Sequence, residues 1–256
     1  MTVRTSIPVG APIWIDLSTS DLARARRFYG TVFGWTFEET GPEYEGYVIA
    51  RCDGRPVAGL MHNKPEWEAP DAWITYLHTA DVDATVAAAV AAGASCCMGA
   101  IEVGDQGREA MLTDPTGAFV GLWQPGGHRG FEVAGRHGAP VWHQLTTRDF
   151  ARALDFYRTV FGWQTQAVAD TDEFRYATAA FDGDELLGVF DAAILPEGTP
   201  SSWNVFLGAD DVDRAIEVIV AEGGTVVRPA EDTPYGRLAS VTDPTGAAFN
   251  LSSLPD

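Results

Sequence analysis

The chain is written twice, and that repeat constrains its fold more than any local motif. Trp14-Ile15-Asp16-Leu17, then Asp21, Phe28-Tyr29 and Phe33-Gly34-Trp35, return as Trp142-His143-Gln144-Leu145, Asp149, Phe156-Tyr157 and Phe161-Gly162-Trp163, 128 residues further on. Asp114-Pro115-Thr116-Gly117-Ala118 returns as Asp243-Pro244-Thr245-Gly246-Ala247. A period this long marks a duplicated structural unit. Two copies of about 120 residues are each long enough to bury a core. The duplication also supplies an internal control. A residue held in both copies is a candidate for scaffold, and one present in a single copy is freer to do chemistry.

Each copy divides again. Ile13–Thr19 alternates as a strand, Asp21 is placed to cap a helix over Leu22–Phe33, and Gly34 ends that helix. Short strands follow near Trp35–Thr40, Tyr47–Cys52 and Pro56–His62, with Asp53-Gly54 as a hairpin turn. The pattern restarts at Trp73–Thr79 with Asp81 as cap, a helix over Val82–Ala92, and strands near Ala100–Val103, Arg108–Thr113 and Ala118–Trp123. It runs twice more from Val141 and Trp203, with Asp149 and Asp211 as caps. Four βαβββ units result. Pairs of units are expected to form a cupped mixed sheet with outer helices, giving an α+β fold of two tandem domains, residues 11–124 and 140–254, joined by a linker over 125–139. The concave side of each cup is the natural place for a ligand.

Composition narrows the partners. A net charge of −19 repels phosphate backbones and anionic bilayers, so neither nucleic acid nor membrane is an expected partner. Cys52, Cys96 and Cys97 cannot build a disulfide framework, and an adjacent Cys pair lacks the spacing of a structural zinc site. Free thiols fit a reducing cytoplasm. The first eight residues carry no apolar signal segment, and the Ala84–Ala94 run is too short to span a bilayer. The expected partner is a small molecule, met by a monomer or homodimer.

The fourfold unit, the W-x-[DE]-L…D…FY…FGW signature and the D-P-T-G-A turn resemble the vicinal oxygen chelate superfamily of glyoxalases, bleomycin-resistance proteins and extradiol dioxygenases. The likeness covers residues 11 to 254. It is nearer to the actinobacterial tandem glyoxalase-like proteins, some of them labelled hydroxylases of polyketide gene clusters. The resemblance implies a divalent metal held by His or Gln from the first strand of a unit and Glu from its last. At those places stand Trp14, Ile74, Trp142 and Asn204, and Gly59, Gly121, Gly188 and Asn250. None offers an imidazole or a carboxylate, so no metal and no cofactor is expected.

Strand alternation then selects the cup lining. In the first domain it is Trp14, Asp16 and Ser18 with Ile74, Tyr76 and His78. In the second it is Trp142, Gln144 and Thr146 with Asn204, Phe206 and Gly208. The same phase turns His143 toward the helix side. Asp16 and His78 are the acid–base candidates, with Trp14, Tyr76, Gly121, Trp142, Gln144, Asn204, Phe206 and Asn250 as substrate-binding residues. The strand glycines either widen the cup or relieve strain. Arg108 and Arg237 occur in both copies and are read as scaffold. Trp73 and Trp203 are read as packing or as stacking surfaces at the cup edge, and His62, His128 and His137 as surface residues. The expected function is binding, and metal-free acid–base transformation, of a small planar organic molecule. Sequestration without turnover, or metal-dependent lyase or dioxygenase chemistry, are the alternatives.

Overall fold

A computed structural model describes residues 7–254. The first unit comprises β1 (Pro12–Thr19), α1 (Leu22–Phe33), β2 (Thr36–Glu39), β3 (Val48–Cys52) and β4 (Arg55–His62). The second comprises β5 (Ala72–His78), α2 (Val82–Ala91), β6 (Ser95–Val103), β7 (Gly107–Thr113) and β8 (Phe119–Pro125). The third holds β9 (Pro140–Thr147), α3 (Phe150–Phe161), β10 (Gln164–Asp170), β11 (Arg175–Phe181) and β12 (Asp184–Asp191). The fourth holds β13 (Ser202–Ala209), α4 (Val212–Ala221), β14 (Thr225–Thr233), β15 (Gly236–Thr242) and β16 (Ala248–Ser253).

Each helix begins where a carboxylate can accept an otherwise unpaired backbone N–H. Asp21, Asp81, Asp149 and Asp211 accept from the amides of Arg24, Ala84, Arg152 and Arg214 at 2.9, 3.0, 3.2 and 2.9 Å. α1 and α3 end at Gly34 and Gly162, both left-handed with φ of 68°, a conformation costly for any residue with a Cβ. β6 starts five residues earlier than the sequence pattern suggests. It is an edge strand interrupted by bulges near Met98, so burial along it does not alternate and the period-2 signal is lost.

Units pair within each copy. The sheet orders are β2-β3-β4-β1-β5-β8-β7-β6 and β10-β11-β12-β9-β13-β16-β15-β14. β1 runs antiparallel to β5 and β9 to β13, so two four-stranded units join at their first strands. Helices of the two domains pack against each other, α1 with α4 and α2 with α3.

The signature residues held in both copies form this seam. The Tyr29 hydroxyl donates to Asp243 at 3.2 Å and the Tyr157 hydroxyl to Asp114 at 3.0 Å. Trp73 and Trp203 donate to those same phenol oxygens at 3.0 Å, which places both indoles on the helix side and not at the cup edge. Trp35 donates to the Gly138 carbonyl at 2.6 Å and Trp163 to the Gly10 carbonyl at 2.9 Å. Asp114 and Asp243 each also accept from the backbone and hydroxyl of their own Thr-Gly-Ala turn. The repeated FY, FGW and D-P-T-G-A motifs are thus one reciprocal interdomain lock.

Candidate functional site

Register places the concave lining of the first domain. Trp14 pairs with Tyr76, Tyr76 with Gly121, Gly121 with Met111, Trp123 with Glu109, and Asp16 with Gly59. Directly paired residues share a face, so these side chains meet over the sheet centre. Asp16 lies at the bottom, 4% exposed, beneath Trp14 at 3% and beside Tyr76 at 2%. Asp16 Oδ1 accepts from Tyr47 Oη at 2.6 Å and from Trp14 Nε1 at 2.9 Å, and Trp14 Nε1 also reaches Tyr47 Oη at 2.8 Å.

Electrostatics follow from this enclosure. Burial pushes the Asp16 carboxyl up to about 6, against the opposing pull of hydrogen bonds from Tyr47, Tyr76 and Trp14. Glu109 is pushed up to about 7, by burial first and then by the negative charge of Asp16. Among the described residues neither carboxylate has a cationic side chain among its influences. The Tyr47 and Tyr76 phenols are held far above their ordinary range by burial and by Asp16, so they remain O–H donors.

The pairing of Asp16 with His78 does not form. Asp16 lies opposite Ile74, four residues along β5 from His78, and an extended strand carries those residues roughly 13 Å apart. His78 instead turns its Nδ1 to the Ile7 carbonyl at 2.7 Å. Strand phase put both residues on one face but said nothing of distance along it. Glu109 is a second carboxyl on the concave face that holds Asp16. The repeat carried a signal for it, since the matching residue in the second copy is Leu238. Tyr47 also had one, as its counterpart is Tyr176.

His128 is not a surface residue. Its ring packs edge-on against Trp14 with centroids 4.3 Å apart and against Trp123 at 5.6 Å. Burial alone lowers its pKa to about 4, so the imidazole is neutral at pH 7. The connecting segment 126–139 delivers it. That segment leaves β8 through bonds from Gly126 and His128 amides to the Gln106 carbonyl and reaches β1 where the Phe131 amide donates to Ile13. No sequence signal marked His128, because the repeat offers no second connector to compare.

The second domain keeps the frame and changes the chemistry. Trp142 Nε1 donates to Tyr176 Oη at 2.9 Å, as Trp14 does to Tyr47. Gln144 occupies the place of Asp16 and donates to Thr146 Oγ1 at 3.2 Å, while Asn204 Nδ2 reaches Thr146 Oγ1 at 3.1 Å. Asn250 accepts from Ser240 at 2.6 Å and pairs in register with Phe206. Trp142, Gln144, Asn204 and Asn250 are half-buried where Trp14, Asp16, Ile74 and Gly121 are buried, so this cup is the more open of the two. His143 shares its face with Val205 and Leu187, on the helix side. Arg108 is paired with Asp83 and Glu102, and Arg237 with Asp213 and Asp232.

The strand glycines neither widen the cup nor leave room for a metal ligand. A Cβ at Gly59 would overlap the Tyr47 hydroxyl and Asp16 Oδ1, one at Gly188 the Tyr176 hydroxyl, and one at Gly121 the Tyr76 ring. Tyrosines fill the space into which the resemblance would place Glu. Among the described residues no three His, Cys, Asp or Glu side chains converge to hold a metal ion. The donor set therefore does not fit the divalent metal that the resemblance implies.

Comparisons with known proteins agree with this architecture. The family model described as Glyoxalase/Bleomycin resistance protein/Dioxygenase superfamily matches residues 12–122 and 139–251. The chain is 35% identical over 258 residues to the putative glyoxylase CFP32 of Mycobacterium tuberculosis, covering 98% of this chain and 97% of that protein. It is 32% identical over 271 residues to the anthracycline biosynthesis protein DnrV of Streptomyces peucetius, covering 98% and 95%. Among solved structures, the Mn(II)-bound glyoxalase from Novosphingobium aromaticivorans aligns with a TM-score of 0.67 at 14% identity, over 96% of this chain and 82% of that one. The 2,3-dioxygenase LapB from Pseudomonas sp. KL28 aligns at 0.66 and 16%, over 98% and 96%. At those identities the two structures speak to the fold alone.

Proposed function

We propose that this chain, which belongs to the glyoxalase/bleomycin resistance protein/dioxygenase superfamily, binds a small planar organic molecule in its first-domain cup and moves a proton on it without a metal. The observation that carries this reading is the presence of Asp16 and Glu109 on one concave face of an aromatic enclosure. Their carboxyls are pushed up to about 6 and about 7, the range in which a general base or acid works best near neutral pH. Asp16 is the base. Trp14 and Tyr47 fix its orientation and hold the acceptor oxygen in place. Glu109, whose carboxyl feels the negative charge of Asp16, returns a proton. Trp14 and Tyr76, the latter packed over Gly121, frame the ring. The name of the Streptomyces peucetius relative, an anthracycline biosynthesis protein, supports a planar, polycyclic ligand.

The test is exchange of an acidic C–H. 2-Tetralone in D2O gives a direct readout by proton NMR. The wild-type protein should accelerate exchange, and Asp16→Asn should reduce it by roughly a hundredfold or more. EDTA should leave it unchanged. Exchange abolished by EDTA and restored by a divalent cation would establish the metal-dependent alternative instead.

The second cup favours a further reading, binding without turnover. Trp142, Gln144, Asn204, Phe206 and Asn250 line a more open face, where the amide of Gln144 stands in the place of Asp16. Tight ligand affinity that survives Asp16→Asn, with no exchange in either protein, would support sequestration.

A further inference from the structure

We infer that His128, delivered by the connector between the domains, is a ligand-recognising residue of the first-domain cup, and that its Nε2 receives the hydroxyl of an uncharged, ring-bearing ligand. The inference rests on the function proposed above and deepens it.

The ring is fixed before any ligand arrives. The His128 amide donates to the Gln106 carbonyl at 3.0 Å, and its own carbonyl accepts from Trp123 Nε1 at 3.0 Å. Trp14 and Trp123 flank the imidazole at 4.3 and 5.6 Å. Main chain and side chain are therefore both held, and little ordering is left for binding to impose. Within this frame Nε2 is buried and has no hydrogen-bond partner among the described residues. A buried polar atom left unpaired costs free energy that a ligand group of the right kind would recover. The imidazole is neutral, so Nε2 donates or accepts according to its tautomer. A hydroxyl can meet either case, because it is both donor and acceptor.

The same cup argues the ligand's charge. Trp14 touches His128 on one side and hydrogen-bonds Asp16 on the other, so a ring at Nε2 lies next to the carboxylates. Among the described residues Asp16 and Glu109 have no cationic partner. An anionic ligand, such as a carboxylate-bearing thiol conjugate, would add further negative charge beside Asp16 in a poorly solvated site. An uncharged hydroxylated ring avoids that cost.

2-Naphthol and 2-naphthoate are matched probes for both clauses. Titration calorimetry at pH 7.5 should give binding of 2-naphthol and at least tenfold weaker binding of 2-naphthoate. His128→Phe, which keeps the contacts with Trp14 and Trp123, should weaken 2-naphthol about fivefold, the loss of one neutral hydrogen bond. His128→Gln should hold affinity within about twofold of wild type by the same measure. The 15N resonance of His128 Nε2 should move on adding 2-naphthol. Equal affinity of wild type and His128→Phe, or an unmoved resonance, would overturn the role of His128 and leave the proton-transfer reading standing. Equal binding of naphthoate would overturn the charge clause. No binding of 2-naphthol to wild type, together with no exchange of 2-tetralone, would remove the parent reading and this one with it.

Discussion

The Tyr29 hydroxyl donates to the Asp243 carboxylate across the domain seam, 214 positions apart in the chain and 3.2 Å apart in space. Tyr157 returns the same bond to Asp114. Each phenol oxygen also accepts from an indole, so one oxygen ties a helix, a strand and the opposite domain's turn.

Tyr29→Phe should therefore destabilise the whole protein by about 1–3 kcal/mol, since it leaves Asp243 and the Trp73 N–H each short of a buried partner. Urea unfolding measures this. Tyr44→Phe, which loses only an exposed bond to Asp105, is the control and should stay within about 0.5 kcal/mol of wild type. A seam variant no worse than that control would show that the lock contributes nothing.

Gly59→Ala should cost about 1–3 kcal/mol, because the added Cβ displaces the Tyr47 hydroxyl from Asp16. Removing that hydroxyl should relieve the clash. A double-mutant cycle with Tyr47→Phe should then show coupling, with the pair less destabilised than the sum of the single variants. Strict additivity would mean that the glycine is there for some other reason.

Glu109 makes folding stability fall as pH rises. Its carboxyl titrates near 4.5 unfolded and about 7 folded, so between those values the native state holds a proton that the unfolded chain has lost. Stability should decline across that window, by up to about 3 kcal/mol if the whole difference is expressed. Asp16 acts in the same direction between 3.8 and about 6. Glu109→Gln should flatten the decline, and urea midpoints from pH 4.5 to 8 would reveal it. Parallel curves for wild type and variant would contradict the placement of Glu109.

His128 has the opposite sign. Its pKa falls from 6.5 to about 4 on folding, so the unfolded chain binds the extra proton and stability is lost as pH falls from about 6.5 toward 4. His128→Phe should remove this loss. Below pH 6 the variant should gain on wild type, with the two converging above pH 7, when unfolding is followed by tryptophan fluorescence.

Much of the fold was legible because short-range physics wrote it into the chain. Asp21, Asp81, Asp149 and Asp211 announce four helix starts, and all four make the capping bond. Alternation assigned Asp16, Tyr76, Gln144 and Asn204 to the concave side. It could not rank positions along a strand, so His78 looked like a partner for Asp16 and is not. The repeat contrasts Glu109 with Leu238, a signal that strand alternation alone does not weigh. The edge strand β6 began early because bulges erase the alternation on which its recognition depends.

The sequence by itself determined the duplication, the four units, the caps and the absence of imidazole or carboxylate at the positions where a relative would hold metal. Those properties are local or periodic, and periodicity survives without coordinates. Only the tertiary structure decided which groups meet. It showed that the repeated Tyr, Trp and Asp motifs lock the domains together, and that tyrosines occupy the space beside Gly59, Gly121 and Gly188. It also showed that a histidine from an aperiodic connector lies between Trp14 and Trp123. Such encounters depend on where distant segments are carried by the sheet, and burial then sets the charge state of Asp16, Glu109 and His128.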